Sequence, residues 1–329
     1  MKHLISAFAA LLLCGCAIHS GAQQTLITYD HAENYLSGGA VLGGPVQVVE
    51  VEWLSGQVKV ESHPGSSVQF SERSARPLTR ETALHYWLEG DVLHIQPCAA
   101  GWQNTQELEK DLLLQLPEAL MPERVTLHST SADLTAKEIS CAELCQKSVS
   151  GALCVNACAA EKTLTLETTS GTIQAAWKGT AGTVEAKTIS GAVTLNAASA
   201  GNVAVSTTSG AVQASLQQVT GKLAADTISG TVTLDAAARE IAAETTSGAL
   251  CLTARVAPEA LTARTISGAV TLALPRDANC SLHFQTVSGS CSCTLPCRTE
   301  NGRYLFGAAG GPEYTVTTTS GSLLVQPAG

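Results

Sequence analysis

Cysteine is the residue type in this chain with the most chemistry to offer. The 329-residue sequence has 12 cysteines, and all except Cys14 and Cys16 lie beyond the N-terminal segment. An even set of thiols in an exported chain predicts disulfides. The members of the set are Cys98, Cys141, Cys145, Cys154, Cys158, Cys251, Cys280, Cys291, Cys293 and Cys297.

Two groups of these cysteines lie symmetrically about a Ser-Gly dipeptide, one at Ser150 and one at Ser288. Symmetric placement about a chain corner would let a disulfide join the two arms of one unit. The two Cys-x3-Cys spacings of the first group also suit a tetrathiolate zinc site, but the usual Cys-x2-Cys pair is missing, so we predict no metal. The predicted disulfides are Cys141–Cys158, Cys145–Cys154 and Cys280–Cys297.

Acids and histidines are present but show no catalytic spacing. Polysaccharide-cleaving sites need clustered carboxylates, and a nucleophilic triad needs His beside Ser or Cys. We therefore predict no catalytic residue, no cofactor and no enzyme, with a β-helix polysaccharide-active enzyme as the less favoured alternative. The scattered acids are Glu167, Glu185, Asp226, Asp235 and Glu244, and the 8 histidines include His85, His94, His128 and His283.

The N-terminal segment predicts export. A basic start precedes the apolar run 4–13, which is too short to span a bilayer. The following Leu13-Cys14-Gly15-Cys16 resembles a bacterial lipobox, with Cys16 as the lipidated residue. We predict a signal and lipobox region over 1–22 and a lipoprotein held at the cell surface by its lipid. Ordinary signal cleavage after Ala22, and hence secretion, is the alternative.

A repeated Ser-Gly dipeptide accounts for most of the remaining chain. Its spacing is 18 to 21 residues, except for a last step of 32 that carries an insertion. Regular self-similarity of this length is typical of stacked repeat architectures. The predicted corners are Ser150-Gly151, Ser170-Gly171, Ser190-Gly191, Ser209-Gly210, Ser229-Gly230, Ser247-Gly248, Ser267-Gly268, Ser288-Gly289 and Ser320-Gly321.

The residues around each dipeptide alternate between apolar and polar. Val184, Ala186 and Thr188 precede one corner, and Val193 and Leu195 follow it. Period-two alternation indicates strands with one buried face, and the parity shift at Ser-Gly indicates a bend. We expect Gly there because it reaches positive φ at little cost, and we expect the preceding Thr column to bond between units. The Thr column comprises Thr168, Thr188, Thr207, Thr227, Thr245 and Thr265.

These patterns predict an all-β fold. We favour a β-solenoid of about 20-residue Thr-x-Ser-Gly units, with an antiparallel β-hairpin roll as the alternative. About ten units at roughly 4.8 Å each would make a rod about 50 Å long. The residue between Thr and Ser alternates, which indicates either a true 39-residue unit or descent from a duplicated pair. That column runs Thr169, Ile189, Thr208, Ile228, Thr246, Ile266, Val287 and Thr319.

The N-terminal third, 24–120, is predicted to be a β cap on the repeat domain 121–329. An uncapped end would leave strand edges open to aggregation. Trp53, Trp87 and Trp102 lie in this cap. We interpret them as its core, with a ligand-stacking platform as the alternative.

The order of several motifs is similar to a family of exported bacterial β-strand-repeat proteins labelled "putative adhesin". It is carried by a first unit at 49–60, a hairpin at 84–95, the Leu112–Pro117 strand, the Thr-x-Ser-Gly repeats and a last unit at 314–325. This resemblance implies a solenoid-like fold at the cell envelope and brings no catalytic residues.

We therefore expect a non-catalytic surface protein that serves adhesion or interaction, with an envelope scaffold or sensor as the alternative. Its predicted partners are the membrane, through the lipid, and an unidentified protein or glycan. Only 14% of residues are charged and the formal net charge is −9. A nucleic-acid binder would need a basic stripe, so nucleic acid is excluded.

Overall fold

The computed structural model describes residues 26–103, 108–308 and 311–328. Within these ranges the chain is built from β-strands and one short 3-10 helix, Ala32–Asn34. None of its described helices has the length and apolarity to cross a membrane. The strands are β1 Leu36–Ser37, β2 Ala40–Leu42, β3 Val48–Trp53, β4 Gln57–His63, β5 Val68–Ser74, β6 His85–Glu89, β7 Val92–Gln96, β8 Lys110–Pro117, β9 Arg124–Ser129, β10 Asp133–Lys137, β11 Ser140–Ser148, β12 Leu153–Thr168, β13 Ile173–Lys187, β14 Val193–Ser206, β15 Val212–Thr227, β16 Val232–Thr245, β17 Leu250–Ala254, β18 Ala260–Arg264, β19 Val270–Leu274, β20 Cys280–Gln285, β21 Cys291–Cys293, β22 Arg298–Glu300, β23 Arg303–Phe306, β24 Glu313–Thr317 and β25 Leu323–Pro327.

The repeats form a parallel β-solenoid, as predicted. Each Ser-Gly corner separates a strand segment before it from one after it, and each segment pairs in parallel with its equivalent in the next coil. Val184 pairs with Val203 before the corners, and Val193 pairs with Val212 after them. We call the stack of segments before the corners sheet A and the stack after them sheet B. The parallel register makes the alternative antiparallel roll wrong for the repeats.

The core lies between the two sheets. Alternate residues of each segment point inward and are fully buried, as Leu164 and Leu166 are in sheet A and Leu153 and Val155 are in sheet B. One coil alone would leave these side chains in water, so their burial depends on stacking.

The repeat glycines serve a different purpose from the one predicted. Of the corner glycines, only Gly56 of the first coil has a positive φ. In the repeats each glycine instead packs on the carbonyl of the previous coil's glycine. A Cβ added to Gly210 would lie 1.7 Å from the Gly191 oxygen, and one added to Gly191 would lie 1.8 Å from the Gly171 oxygen. Close approach of the coils, and not a left-handed backbone, therefore requires glycine here.

The threonine before each corner bonds between coils, as predicted. The Thr188 hydroxyl donates to the Gly171 carbonyl of the previous coil at 3.2 Å and accepts from the Gly191 N–H of its own coil at 3.1 Å. Equivalent hydroxyl-to-carbonyl bonds are made by Thr168, Thr207, Thr227, Thr245 and Thr265. Each threonine thus satisfies a backbone carbonyl that the corner removes from the sheet ladder.

The coils at the C-terminal end are stacked out of sequence order. Strand β24 pairs on one side with β18 and on the other with β20, so the last coil in sequence lies between two earlier ones. Sheet B repeats this order, since β25 lies between β19 and β21. The 32-residue step contains the β22–β23 hairpin, whose β23 pairs antiparallel with the outermost β20.

The coils at the N-terminal end are also stacked out of sequence order. The first coil, β3 and β4, lies between the coil of β9 and β10 and an outer pair formed by β7 and β8. Antiparallel strands β6 and β5 then cover β7 and β8. Residues predicted as a separate cap thus contribute parallel coils as well as closing strands. The boundary at residue 120 stays a prediction.

The outward residue between Thr and Ser alternates along the stack more regularly than along the sequence. Backbone bonds connect Ile266 to Thr319 and Thr319 to Val287, so the last coil restores the alternation that sequence order breaks. A pattern that survives this change of order reflects spatial neighbours, which favours a structural explanation over descent by duplication. In spatial order the column is Leu54, Thr130, Val149, Thr169, Ile189, Thr208, Ile228, Thr246, Ile266, Thr319 and Val287.

Candidate functional site

A surface cleft with many titratable and aromatic side chains lies on the outer face of sheet A at the N-terminal end of the stack. Strands β3, β6, β7 and β9 present alternate side chains there because successive residues of a strand face opposite sides. The segment around the short 3-10 helix covers it from above. The cleft has a volume of about 420 Å³ and is lined by Thr28, Tyr29, Asp30, His31, Tyr35, Glu50, Glu52, Trp87, Glu89, His94, Gln96, Thr126 and His128.

Aromatic rings form one wall of this cleft. The Trp87 ring is stacked on His94, with centroids 5.6 Å apart and an interplanar angle of 27°. Tyr35 and His31 lie tilted against Trp87 at 5.8 Å and 5.6 Å. Burial raises the pKa of Tyr29 to about 12, so this residue is a neutral phenol that donates to the Cys98 carbonyl at 3.0 Å.

The three predicted cap tryptophans divide into two groups. Trp53 is 2% exposed and donates from its indole to the Lys110 carbonyl at 2.8 Å, as a core residue should. Trp102 packs on a small buried cluster that includes Ile27 and Leu108. Trp87 alone of the three lines the cleft. The core interpretation is confirmed for Trp53 and is wrong for Trp87.

Carboxylates also line the cleft, close to the aromatic rings. His94 lies between two of them, with Nδ1 3.2 Å from Glu50 and Nε2 3.6 Å from Glu89. The latter distance is too long for a hydrogen bond, so the buried Nε2 atom has no hydrogen-bond partner. This unsatisfied buried nitrogen belongs to a side chain that lines the cleft.

A second constellation lies where the cleft meets the next coil. The parallel register aligns Glu52 with His128, and Thr126 with Cys145. His128 Nδ1 is 3.0 Å from Glu52 Oε1, and the Cys145 thiol lies beside the imidazole on the neighbouring strand. Burial lowers the pKa of His128, but the bonds to Cys145 and Glu52 and their negative charges raise it to about 9.

The sequence shows no triad-like spacing of histidine with Cys or Ser, and the fold brings this cluster together from separate coils. Glu52, His128 and Cys145 come from three coils and are far apart in the chain, so their spacing in sequence gives no hint. The signal that could have found them is the position relative to the corner. Glu52 and His128 each stand four residues before the corner glycine or its equivalent, on neighbouring coils.

The structure has no disulfide among the described residues, and the ten cysteines beyond the N-terminal segment are free thiols. Cys145 points outward from sheet A and Cys154 outward from sheet B, so the prediction that they pair is wrong. Cys141 and Cys158 are both buried and close enough to interact, and burial raises their pKa to about 12 and about 11. Their pairing stays a prediction.

The third predicted pair is also separated. Cys280 is buried opposite Phe306, whereas Cys297 lies beside Cys293, whose Sγ is 3.8 Å from Cys291 Sγ. Despite this grouping, no set of His, Cys, Asp and Glu side chains in the described ranges has the arrangement of a metal site.

The predicted corners and acids are placed as follows. All nine Ser-Gly dipeptides lie at bends between strands of sheets A and B. The acids are less scattered than predicted, since Asp226 and Glu244 are neighbours in sheet A, and burial followed by the Glu244 charge raises the pKa of Asp226. The lipidation candidate Cys16 lies outside the described residues.

One family model matches the chain over two overlapping ranges. The family model described as Toastrack DUF4097 matches residues 45–218 and again 161–326. The overlapping double match reflects the repetition of the coils. No curated protein shows significant similarity to the chain.

Three solved structures resemble the chain at low identity. One, titled "putative cell adhesion protein", is from Clostridium sporogenes, with 9% identity, a TM-score of 0.26 and coverage of 89% of this chain and 100% of that one. A "putative adhesin" from Bacteroides fragilis has 7% identity, a TM-score of 0.37 and coverage of 88% and 96%. A "putative lipid binding protein" from Parabacteroides distasonis has 14% identity, a TM-score of 0.40 and coverage of 89% and 96%.

Proposed function

The chain belongs to the Toastrack DUF4097 family, and we propose that this member is a non-catalytic interaction module displayed outside the cytoplasm. The lipid on Cys16 would tether it to a membrane, and the cleft at the N-terminal end of the rod would bind a positively charged ligand. The titles of the similar structures, which name adhesion and lipid binding, fit a binding role of this kind.

The lining of the cleft is the observation that carries the proposal. Asp30, Glu50 and Glu89 line the cleft together with Trp87, and the lining residues include no lysine or arginine. Carboxylates beside an aromatic face attract ammonium and guanidinium groups through charge and through cation–π contact. A lysine or arginine side chain of a partner protein, or an amino sugar, therefore fits the cleft chemically.

The electrostatics of the whole chain agree with such a ligand. The formal net charge of −9 steers cationic partners towards the protein at low salt. Because exposed charges are screened, binding of this kind weakens as ionic strength rises.

A binding array on residues 24–329 tests the proposal. The array should carry host-matrix proteins, neutral and amino glycans, and matched Lys-rich and Glu-rich peptides. We expect binding of the cationic members, reduced roughly tenfold in Trp87→Ala and in Glu50→Gln. Glu259→Gln is the control, since Glu259 is an exposed acid of the middle coils. Absence of binding to any member would instead favour the scaffold alternative.

A further inference from the structure

Cys145 differs from the other described cysteines in the group that it contacts. Cys98, Cys141, Cys158 and Cys280 are buried. Cys145 is partly exposed on the outer face of sheet A, and its thiol lies beside the His128 imidazole of the neighbouring strand. An imidazole beside a thiol is a base that can take the thiol proton and release the nucleophilic thiolate.

The imidazole is itself fixed by the fold. His128 is held by Glu52 at 3.0 Å, and Cys145 lies beside it on the neighbouring strand. The three side chains project from adjacent parallel strands β3, β9 and β11, whose main chains are locked in register. Nucleophile, base and orienting carboxylate thus stand in the order used for activated thiols.

We propose that Cys145 is a reactive thiol that captures a low-molecular-weight disulfide and holds one half of it as a mixed disulfide at the edge of the cleft. The Cys145 thiolate attacks one sulfur of the incoming disulfide. A new S–S bond forms to Cys145 as the original S–S bond breaks, and the leaving thiolate takes its proton from the His128 imidazolium. Cys145 is oxidised and the incoming disulfide is reduced to one thiol. This capture does not depend on the cationic ligand proposed above.

The capture ends at the mixed disulfide because no second thiol of the described chain is placed to resolve it. Cys141, on the same strand, points into the core, and Cys154 faces outward from the opposite sheet. Exchange with an external thiol is the remaining route for release.

Charges around Cys145 give the site a preference among disulfides. On its own strand and the two neighbouring strands they occur as ion pairs, Arg124 with Glu143 at 3.0 Å and Lys147 with Glu167 at 3.0 Å. Glu50 of the cleft faces Thr126, the register partner of Cys145. The acidic side of the cleft should make cystamine, which is cationic, a better reagent than dithiodiglycolate, which is anionic.

The test compares Cys145 with Cys154 in the full mature chain at pH 7.5. Cys154 is matched because it is also partly exposed on an outer face, but burial raises its pKa. After brief exposure to cystamine or dithiodiglycolate, each cysteine's modification is quantified by peptide mass mapping. We expect Cys145 to react with cystamine roughly tenfold faster than Cys154, and faster than with dithiodiglycolate.

Three variants separate the thiol's activation from general accessibility. His128→Gln should slow the Cys145 reaction roughly tenfold and Glu52→Gln should slow it less, while His283→Gln, at the opposite end of the stack, should leave it unchanged. Thermal melting of each variant checks that the fold is kept. Equal rates for Cys145 and Cys154, or an unchanged rate in a folded His128→Gln variant, would overturn the proposal. Cys145→Ser should still bind the cationic array members, which keeps the two proposals separable.

Discussion

The middle coils and the two ends of the rod are built by different rules. From β12 to β19 each coil lies on the one before it in sequence, and the same Thr-x-Ser-Gly contact recurs at every step. At the ends the coils change order and antiparallel strands close the edges. Aromatic rings and the cleft are found at the N-terminal end. The regular coils therefore give the stack its length, and the irregular N-terminal end holds the cleft at which we propose binding.

The largest expected effect concerns the corner glycine of a middle coil. Gly210→Ala would place a Cβ 1.7 Å from the Gly191 oxygen, so the two coils must separate. We expect a loss of more than about 4 kcal/mol in unfolding free energy, or failure to fold. Gly43→Ala near the N-terminal end is the control, because nothing lies within 4 Å of its added Cβ and it should melt like the wild type. Similar melting of both variants would refute the close-contact explanation.

A buried ion pair gives the largest effect expected at the N-terminal end. Lys110 and Glu72 are 2.6 Å apart, with side chains 1% and 5% exposed, and Lys110 also donates to the Thr82 carbonyl at 2.6 Å. Glu72→Gln leaves the ammonium buried without its counter-charge, and we expect a loss of about 3–5 kcal/mol in chemical denaturation. The exposed pair of Arg239 and Glu259 is the comparison, and Glu259→Gln should cost under about 1 kcal/mol.

The threonine ladder should show an intermediate effect. Thr188→Val keeps the shape but leaves the Gly171 carbonyl and the Gly191 N–H without their partner. We expect a loss of about 1–3 kcal/mol in unfolding free energy. Thr208→Val, on the outward corner column, removes a hydroxyl with no such role and should change stability by less than about 0.5 kcal/mol. Equal costs at the two positions would mean that the hydroxyls do not stabilise the stack.

The smallest expected effect is a gain in stability, at Gln146, where the middle coils meet the N-terminal end. Gln146 is 0% exposed and lies in register with Leu127 and Leu166, and its Oε1 has no hydrogen-bond partner. Gln146→Leu should complete the apolar column and raise the unfolding free energy by about 1 kcal/mol, since an unsatisfied buried acceptor is removed. A fall in melting temperature would show that this amide is satisfied in solution.

The sequence was sufficient for the middle coils because their rules are local. The alternation around Val184 and Val193, the corners and the bonding role of Thr188 all depend on residues within one repeat and its neighbour. The reason for glycine was predicted wrongly, because close contact between coils is a property of the stack. The 32-residue step was predicted as an insertion, but its length does not reveal which coil lies beside which.

The candidate site could not be predicted because it depends on register between coils. Cys145 contacts His128 and not Cys154, although Cys154 is nearer in sequence. The symmetric spacing of thiols around Ser150 suggests a disulfide across the corner. The strand before the corner belongs to sheet A and the strand after it to sheet B, so the two thiols face opposite sides. Trp87 became part of a cleft because β6 pairs antiparallel with the outermost coil and thereby meets the segment around Tyr35.

The insertion of the last coil between two earlier ones restricts how such a rod can change its length in evolution. A duplication of that coil would introduce the new copy inside the stack, between strands β18 and β20. Strand β24 already pairs with both of these strands, so no free edge is left for the copy. A duplication in the middle, where sequence and spatial order agree, would only push the two ends apart. Lengthening by internal duplication would carry the cleft farther from the opposite tip and leave its residues untouched.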